Sequence, residues 1–530
     1  MDLLDRARRW KATGVGGQRS LGAVHRWARA GICPLVALLM LLAADAAWAK
    51  PLRVGIAELP ASYGNPYTAV GIPSALVWLQ IFDALTKISS EGKLVGALAE
   101  DWHMETPTRW RFHLRKDASF SNGKPFTAES AQAVFHWLQS ETGRATIVAN
   151  ALTTIESVEV IDEFQLVINT VRPDPILPNR LTTVMMVEPQ SWATLGPKEF
   201  AVAPVGTGSY SIESWQSIDG AAVLRVNPYS WRRPIIEHVE IFPLRDHAAR
   251  FQATISQQLD LTISMRPELI GALAQRNFEI IVDPTKQIIG LAFDVVGHPN
   301  HPIADRRVRQ AMNLAIDTET ISKVITEGVH PPASQGAAPG VFGYNPDIAP
   351  YPYAPERARE LLVSAGVPDG FDVSASVVIG TYANDVEIYQ KVQQDLSAVG
   401  IQLTIESTVF ADWLQQYAFN NWSTEMFSLA WNNTPFNDAL RPMEYFSCKK
   451  AKPFFCNPEM MPLIERATVE TDLETREDIL QQLELQFHNE APHLFLLEYG
   501  HIWAVSRNLQ GFKLDDRIPQ LHQLSFGPGP

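Results

Sequence analysis

The sequence predicts a mixed α/β protein, and three segments carry this prediction. Residues 108–115 alternate apolar with basic side chains, which is typical of a strand with one buried face. Residues 306–316 place apolar side chains at helical spacing, with the arginines of that segment largely on the opposite, solvated face. A helix predicted over 385–399 stops at Gly400 and leads directly into an alternating strand over 401–405, a compact α/β unit.

Local patterns predict further elements on both sides of these segments. A helix begins after Thr127, a candidate N-cap, and residues 158–168 read as a hairpin. Another helix runs over 355–365, with a proline at its start. The proline-rich stretch 331–355 is long for a loop, so we expect it to pack over a surface or to line an opening.

The first 49 residues have the three parts of a secretory signal. Seven basic residues fall within residues 1–30, an apolar run follows over 32–44, and Ala47-Trp48-Ala49 provides a small-x-small cleavage site before Lys50. The alternative is an uncleaved membrane anchor. Thirteen helical residues reach only about 20 Å against a hydrocarbon core of roughly 30 Å, which favours a cleaved signal peptide and export to the periplasm.

The charge of the mature chain limits its partners. Without seven basic and three acidic residues of the leader, 37 Lys and Arg stand against 55 Asp and Glu, a net charge of −18. This balance argues against nucleic acid and anionic lipid as partners, and it favours a cationic or neutral ligand. The remaining length is enough for two or three domains.

The cysteines predict a disulfide. Cys33 lies within the leader, which leaves Cys448 and Cys456 as an even pair in an oxidising compartment. The rival interpretation is a metal pair, but no other cysteine or histidine lies nearby in the sequence to complete such a site. We therefore expect a Cys448–Cys456 disulfide, no metal site and no cofactor.

Several segments, in order, resemble the large extracytoplasmic solute-binding proteins of family 5, which serve oligopeptide, dipeptide and nickel ABC transporters. The resemblance covers essentially the whole mature chain. Its segments are 98–102 with 110–115, 120–129, 204–210 with 227–231, 304–317, 358–366 and 399–401.

The resemblance implies a two-lobed periplasmic binding protein of type II, of the large cluster C kind, with an extra subdomain in lobe one. A ligand that contacts both lobes would stabilise the closed state. The implied organisation is a signal peptide over 1–49, lobe one over 50–96, 203–288 and 499–530, the extra subdomain over 97–202, and lobe two over 289–498.

The resemblance also indicates where ligand would bind. In peptide-binding relatives an aspartate three residues after a tryptophan holds the peptide ammonium, and here Trp431 is followed at that distance by Thr434. A hydroxyl cannot neutralise a buried ammonium, which argues against peptides unless Asp438 replaces the acid. Asn432, Asn433 and Asn437 would otherwise present a polar, uncharged lining suited to sugars or amides.

Other features extend this predicted site. The segment 446–448 resembles the dipeptide-binding branch and favours a peptide-like ligand, and a loop around Tyr63 and Asn65 is expected to face the cleft. Each assignment has an alternative: core packing for Trp431, a solvated loop acid for Asp438 and a surface turn for residues 63–66. The predicted ligand-binding residues are Trp431, Asn432, Asn433, Thr434, Asp438, Tyr63 and Asn65.

These expectations give a functional hypothesis. The chain is expected to be the periplasmic binding component of an ABC importer, a monomer that captures a short peptide or another small polar solute and delivers it to an inner-membrane permease. Alternatives are a sugar, opine or metal-chelate ligand, or a chemoreceptor-linked sensor. The motifs of common hydrolases and nucleotide-binding loops are missing from the mature sequence, so an exported hydrolase is disfavoured. Histidines such as His298 and His301 are not spaced to give three metal ligands.

Overall fold

The computed structural model of the protein describes residues 50–69, 71–217, 220–283, 286–515 and 517–527. The predicted signal peptide therefore lies outside the described residues. Within the described ranges, no helix has the length and apolar character needed to cross a membrane.

The first lobe is built around a seven-stranded sheet. The strand Leu52–Ile56 runs parallel to its two neighbours, whereas the other strand pairs are antiparallel. The order across the sheet is Phe278–Val282, Ile502–Ser506, Leu261–Ile263, Leu52–Ile56, His238–Pro243, Ala222–Val226 and Tyr210–Ser214. The strand Ile502–Ser506 thus returns the end of the chain to the sheet that its beginning forms.

An antiparallel four-stranded sheet forms the extra subdomain of this lobe. Its strands, in spatial order, are Ala99–Thr106, Arg109–Leu114, Gln165–Thr170 and Ile155–Asp162. The helix Ala128–Gln139 packs against it and begins as predicted, because the Thr127 hydroxyl accepts a hydrogen bond from the backbone N–H of Ser130. Apolar side chains of this subdomain and of the seven-stranded sheet belong to one continuous core.

The second lobe contains a six-stranded sheet. The strand Gln287–Phe293 lies at its centre, with His493–Tyr499 on one side and the short strands Met426–Ser428 and Trp431–Asn432 on the other; Phe371–Val377 and Ile401–Ser407 complete the sheet. The helices packed around it include Arg306–Ala315, Pro355–Ser364, Asp385–Ser397 and Leu473–Glu490.

One arginine of the helix Arg306–Ala315 differs from the prediction. Arg306 and Arg307 are exposed, whereas Arg309 is buried. Its guanidinium donates hydrogen bonds to the carbonyl oxygens of Glu490 and Ala491, at the end of the helix Leu473–Glu490. The carbonyls at a helix end lack intrahelical partners, so the buried cation has a structural function that helical spacing does not reveal.

The remaining elements connect these layers. The stretch 331–355 is irregular, as predicted, and much of it is buried against lobe two. The other α-helices are Ile72–Ile81, Glu141–Arg144, Leu177–Arg180, Pro189–Val202, His247–Ile255, Ile270–Ala274, Thr318–Thr320, Phe410–Phe419, Leu440–Tyr445 and Met461–Val469. Three short strand pairs are Thr86–Ile88 with Leu94–Gly96, Leu509–Gln510 with Ser525–Phe526, and Leu514–Asp515 with Ile518–Pro519.

In the part of the chain that the structure describes, the path changes from one lobe to the other twice. It leaves the first sheet after Val282 to form Gln287–Phe293, and it returns from His493–Tyr499 into Ile502–Ser506. Asp283 and His501 tie the two crossing segments together, since the N–H of His501 donates to the Asp283 carboxylate (2.6 Å) and the N–H of Asp283 donates to the His501 carbonyl (2.9 Å). Two lobes joined by paired crossing segments form a hinge.

The predicted disulfide is present. Cys448 and Cys456 are bonded and close a short loop in lobe two. Phe454 and Phe455 lie in this loop and are buried in the core of that lobe. The loop is therefore held both covalently and by its apolar side chains.

Candidate functional site

A cavity of about 260 Å³ lies between the two lobes. Its lobe-one wall includes Ala57 and Ser264, which directly follow the strands Leu52–Ile56 and Leu261–Ile263. These strands are parallel neighbours, so their carboxyl ends meet at one edge of the sheet. Crevices at such edges are common ligand sites in α/β folds. We refer to this space as the interlobe cavity.

The helix Ile72–Ile81 gives the interlobe cavity an apolar wall. This helix is apolar almost all round, so it buries side chains in the lobe-one core and still presents Ile72, Leu76 and Leu79 to the cavity. Met185 adds to the same surface. A ligand in this space would lose apolar surface to water on this side.

Lobe two contributes the polar wall. Gln287, Asn432 and Thr434 line the interlobe cavity from this side. The Asn432 side-chain oxygen accepts two hydrogen bonds from Thr434, from its backbone N–H (2.9 Å) and its hydroxyl (2.6 Å). This arrangement holds Thr434 in place, with a hydroxyl where peptide-binding relatives are expected to have an acid.

Two arginines also line the interlobe cavity. Nη1 of Arg441 donates a hydrogen bond to the Asn432 carbonyl (2.5 Å). The guanidinium carbon of Arg441 lies 5.7 Å from the ring centroid of Phe436 and 5.4 Å from that of Tyr445. Arg517 reaches the cavity from the turn between the strands Leu514–Asp515 and Ile518–Pro519 and is only 7% exposed. These two cations approach the cavity from opposite lobes.

His501 is a third basic side chain that lines the interlobe cavity. Burial, together with the positive charge of Arg517, lowers the pKa of His501 to about 3. The imidazole is therefore neutral at physiological pH and adds no charge of its own. Among the described residues that line the cavity there is no aspartate or glutamate. The cavity is cationic, although residues 50–530 carry a net charge of −18.

Asn432 and Thr434 are the predicted site residues that the structure brings to the cavity wall. Trp431 and Asn433 lie behind them and are fully buried. The indole of Trp431 stacks on Phe446, with ring centroids 4.2 Å apart. The structure gives Trp431 the core position that the sequence left open as an alternative, and its contact with ligand stays a prediction.

The other predicted residues do not line the interlobe cavity, although Asp438 lines a second space between the lobes, beside Asn179 and Gly340. Asp438, 1% exposed, accepts two hydrogen bonds from the Arg476 guanidinium (2.6 and 3.0 Å), so its charge is already neutralised. Tyr63 is 40% exposed, and its carbonyl accepts from the indole N–H of Trp78. Asn65 caps the turn by accepting from the N–H of Tyr67.

Sequence reasoning missed Arg441, Arg517, His501 and the apolar helix. Arg441 could have been suspected, because it lies between Trp431 and the segment 446–448, both of which the family resemblance marked. Arg517 looks like an ordinary turn residue in an acidic stretch, and His501 looks like an isolated histidine in a strand. Nothing in their local sequence indicates a shared site.

The loop 434–438 also connects the lobes. The Asn179 side chain donates to the Phe436 carbonyl (2.8 Å), and the Arg180 guanidinium lies over the Phe436 ring. The side chain of Asn437 donates to the carbonyls of Gly92 (2.8 Å), in lobe one, and Gly340 (3.0 Å), in lobe two. These bonds bridge the lobes beside the cavity and stabilise the arrangement seen here.

Replacing Asn437 with alanine is expected to weaken ligand binding about fivefold, because losing a bridging hydrogen bond removes about 1 kcal/mol from the closed state. Isothermal titration with the co-purified solute would measure the change. Asn345→Ala is the matched control, since Asn345 bonds Gln481 within lobe two (3.1 Å). Equal affinities for the two variants would contradict a bridging function of Asn437.

A separate cluster of possible metal ligands lies on the four-stranded sheet. Asp101, His103 and His113 place their ligand atoms within 4.8 Å of one another. Strand pairing brings them together, since Asp101 lies opposite His113, and linear spacing could not show this. The cluster is largely exposed and lies on the extra subdomain, among residues that do not line the interlobe cavity.

Two lobes, a paired hinge and a cavity walled by both lobes define a binding protein that encloses a small solute. The comparisons with known proteins agree. Residues 93–453 match the family described as "Bacterial extracellular solute-binding proteins, family 5 Middle", and the chain belongs to this family. It is therefore an extracellular solute-binding protein with the function of a substrate-binding component of an ABC importer.

Individual relatives are distant but cover nearly the whole chain. The glutathione-binding protein GsiB of Salmonella choleraesuis is 25% identical over 465 residues, covering 84% of this chain and 89% of its own. The structure of the periplasmic binding protein DppA from Helicobacter pylori, in complex with the peptide STSA, has a TM-score of 0.75 at 20% identity, covering 90% and 98%. HbpA2 from Haemophilus parasuis has a TM-score of 0.79 at 18% identity, covering 90% and 100%.

Proposed function

We propose that the chain captures a small organic solute in the interlobe cavity, in the periplasm, and that closure of the lobes over the solute is what an ABC permease recognises. The observation that carries this proposal is the composition of the cavity wall. Ile56 and Leu76 of lobe one and Asn432 and Thr434 of lobe two enclose the same space. A solute that contacts both walls binds the closed state more tightly than the open state, which drives closure.

The proposed function also concerns the processing, the oligomeric state and the lobes of the whole chain. The first 49 residues would be removed as a signal peptide, and the mature protein would act as a monomer without nucleic acid, enzymatic turnover or a cofactor. The boundaries of the lobes would fall as the family resemblance implies. The sheets support crossings within a few residues of these bounds, because the chain changes sheet between Val282 and Gln287 and again between Tyr499 and Ile502; Gln287, Ile288 and Tyr499 are strand residues of the lobe-two sheet.

The ligand class of the relatives supports a small organic solute. GsiB is a glutathione-binding protein, and the Helicobacter pylori structure holds a four-residue peptide. A structure of AgaA from A. tumefaciens R10, with a TM-score of 0.72 at 20% identity, holds agropinic acid. The interlobe cavity of about 260 Å³ is at the small end for ligand sites, so a compact solute is expected.

Filling the interlobe cavity should abolish capture. Ala75→Trp introduces a large ring into the cavity from the helix Ile72–Ile81, and we expect native mass spectrometry of the protein purified from the periplasm to lose the bound-solute mass. Ser74→Trp, on the same helix but outside the cavity lining, is the matched control. A solute retained equally by the two variants would place binding elsewhere.

Lobe closure can be tested separately with spin labels. Cysteines replacing the exposed residues Val202 of lobe one and Val363 of lobe two would carry the labels. Addition of the co-purified solute to stripped protein should narrow and shift the distance distribution, and the Ala75→Trp variant should not respond. An unchanged distribution in the parent chain would contradict capture by closure.

A further inference from the structure

We infer that the interlobe cavity selects an anionic organic solute, a compact molecule with a carboxylate and an apolar body, held between Arg441 and Arg517. This inference deepens the proposed function and rests on it. It assigns the substrate class to two arginines that the sequence did not single out.

The charges at the cavity favour an anion. Arg441 and Arg517 both line it, His501 is neutral, and the described lining residues include no carboxylate. An ammonium group placed here would meet two cations and the Thr434 hydroxyl, without a counter-charge. Since an unpaired buried charge is strongly disfavoured, the cavity as built rejects a free amine.

Arg517 lacks a partner among the described residues. Only 7% of this residue is exposed, and its buried Nε has no hydrogen-bond acceptor. The acid two positions earlier, Asp515, is already paired with Lys87 (2.7 Å). Buried arginines are normally paired, so this guanidinium is suited to an acceptor that arrives with the solute.

Arg441 is held in a fixed orientation for the same task. One of its N–H groups bonds to the Asn432 carbonyl, and the rings of Phe436 and Tyr445 hold the plane of the guanidinium. The described residues provide no acceptor for its other N–H groups, which leaves donors available at the cavity. A planar, pre-oriented guanidinium matches the geometry of a carboxylate and binds it through two parallel hydrogen bonds.

The rest of the wall defines the remainder of the solute. Ile56, Leu76, Leu79, Met185 and Ile263 present a continuous apolar surface opposite the polar residues of lobe two. A solute that carries charged groups along its whole length would make no apolar contact with this surface. An apolar body with one or two carboxylates fits both walls, and an amine on the solute would have to be absent or acylated.

Affinity selection with three matched libraries tests this inference. The probes are N-acetyl dipeptides with a free carboxylate, the same N-acetyl dipeptides as amides, and dipeptide amides with a free amine. We expect stripped protein to retain the free carboxylates at least tenfold over either other library, as measured by mass spectrometry of the eluate. Equal retention of the amides, preference for the free amines, or retention of none would overturn the inference.

Variants tie the preference to the two arginines. Arg441→Gln and Arg517→Gln should each lower retention of the free carboxylates tenfold or more. Retention by Arg441→Lys should lie between that of Arg441→Gln and that of the parent chain, because lysine keeps the positive charge but lacks the planar guanidinium. Arg266→Gln is the matched control, since this half-exposed arginine lies two residues after the lining residue Ser264 and does not itself line the cavity. Circular dichroism would show that each variant is folded.

The outcomes separate this inference from the proposed function. A bound mass in native spectra, lost in Ala75→Trp, supports capture in the interlobe cavity whatever its charge class. If that mass persists while the arginine variants bind normally, the anion inference fails and capture stands. If Ala75→Trp retains the mass, the proposed function itself fails.

Discussion

Replacing Trp431 with alanine is expected to lower the free energy of unfolding by about 3–5 kcal/mol, because the substitution leaves a large cavity in a packed core. The indole is 0% exposed and packs against Phe446, Phe487 and Phe495, with ring centroids 4.2, 5.2 and 6.0 Å away. A Cβ at Gly336 would lie 2.1 Å from the indole, so the backbone also closes over the ring. Affinity of the folded protein should stay near that of the parent chain.

Urea unfolding followed by circular dichroism, with titration of solute at low temperature, would separate the two effects. Trp422→Ala is the matched control: Trp422 belongs to the same core, stacks on Phe427 at 4.1 Å and does not line the interlobe cavity. The two variants should lose similar stability. A tenfold loss of affinity in Trp431→Ala alone, with stability unchanged, would instead place the indole against the solute, as the family resemblance predicts.

Much of the fold was predictable because the patterns behind it are local. The alternation over 108–115 corresponds to the strand Arg109–Leu114, and the predicted helix before Gly400 corresponds to Asp385–Ser397. In each case neighbouring residues decide which face is buried. The position of Ile502–Ser506 between two strands of the first sheet could not be predicted from such patterns, since its partners lie more than 200 residues away.

The candidate site shows the same limit more sharply. Thr434 was found through the family pattern and does line the interlobe cavity. Asp438 is polar and close in sequence, yet its partner Arg476 lies 38 residues further on, in the helix Leu473–Glu490. Whether an acid faces a ligand or a buried cation depends on such distant residues, and no local feature of the sequence separates the two cases.

The amino-acid composition also fails to predict the local charge of the interlobe cavity. Residues 50–530 carry a net charge of −18, but Arg441 and Arg517 converge from segments 76 residues apart, and the carboxylate of Asp515 is paired with Lys87. A sum over the sequence averages the solvated surface, where most acids lie. The preference of a small cavity depends on the few side chains that topology brings to it.

Lowering the pH from 6.5 towards 4 is expected to destabilise the protein strongly, because two buried histidines, His330 and His493, and the half-buried His501 must stay neutral in the folded state. Burial lowers the pKa of His330 and His493 to about 4 and, with the charge of Arg517, that of His501 to about 3, from an ordinary value of 6.5. The unfolded chain therefore binds more protons in this range. Over these 2.5 pH units, each histidine lowers the free energy of unfolding by about 3 kcal/mol.

Glu484 works in the opposite direction. Burial raises the pKa of its carboxyl to about 8, so this group favours the folded state as the pH falls from 8 towards 4.5. Three histidines outweigh one glutamate, and the free energy of unfolding should fall steadily from pH 6 to pH 5. Urea titrations at closely spaced pH values would give the slope of the free energy of unfolding against pH.

Single substitutions test which groups set that slope. His493→Gln keeps a donor for the Leu429 carbonyl, which the ring contacts at 2.7 Å, and should lower the slope between pH 5 and 6 by about 1.4 kcal/mol per pH unit, the value for one proton. Glu484→Gln is the opposite control and should make the slope steeper. If His493→Gln left the slope unchanged, acid unfolding would have to arise from groups other than these buried imidazoles.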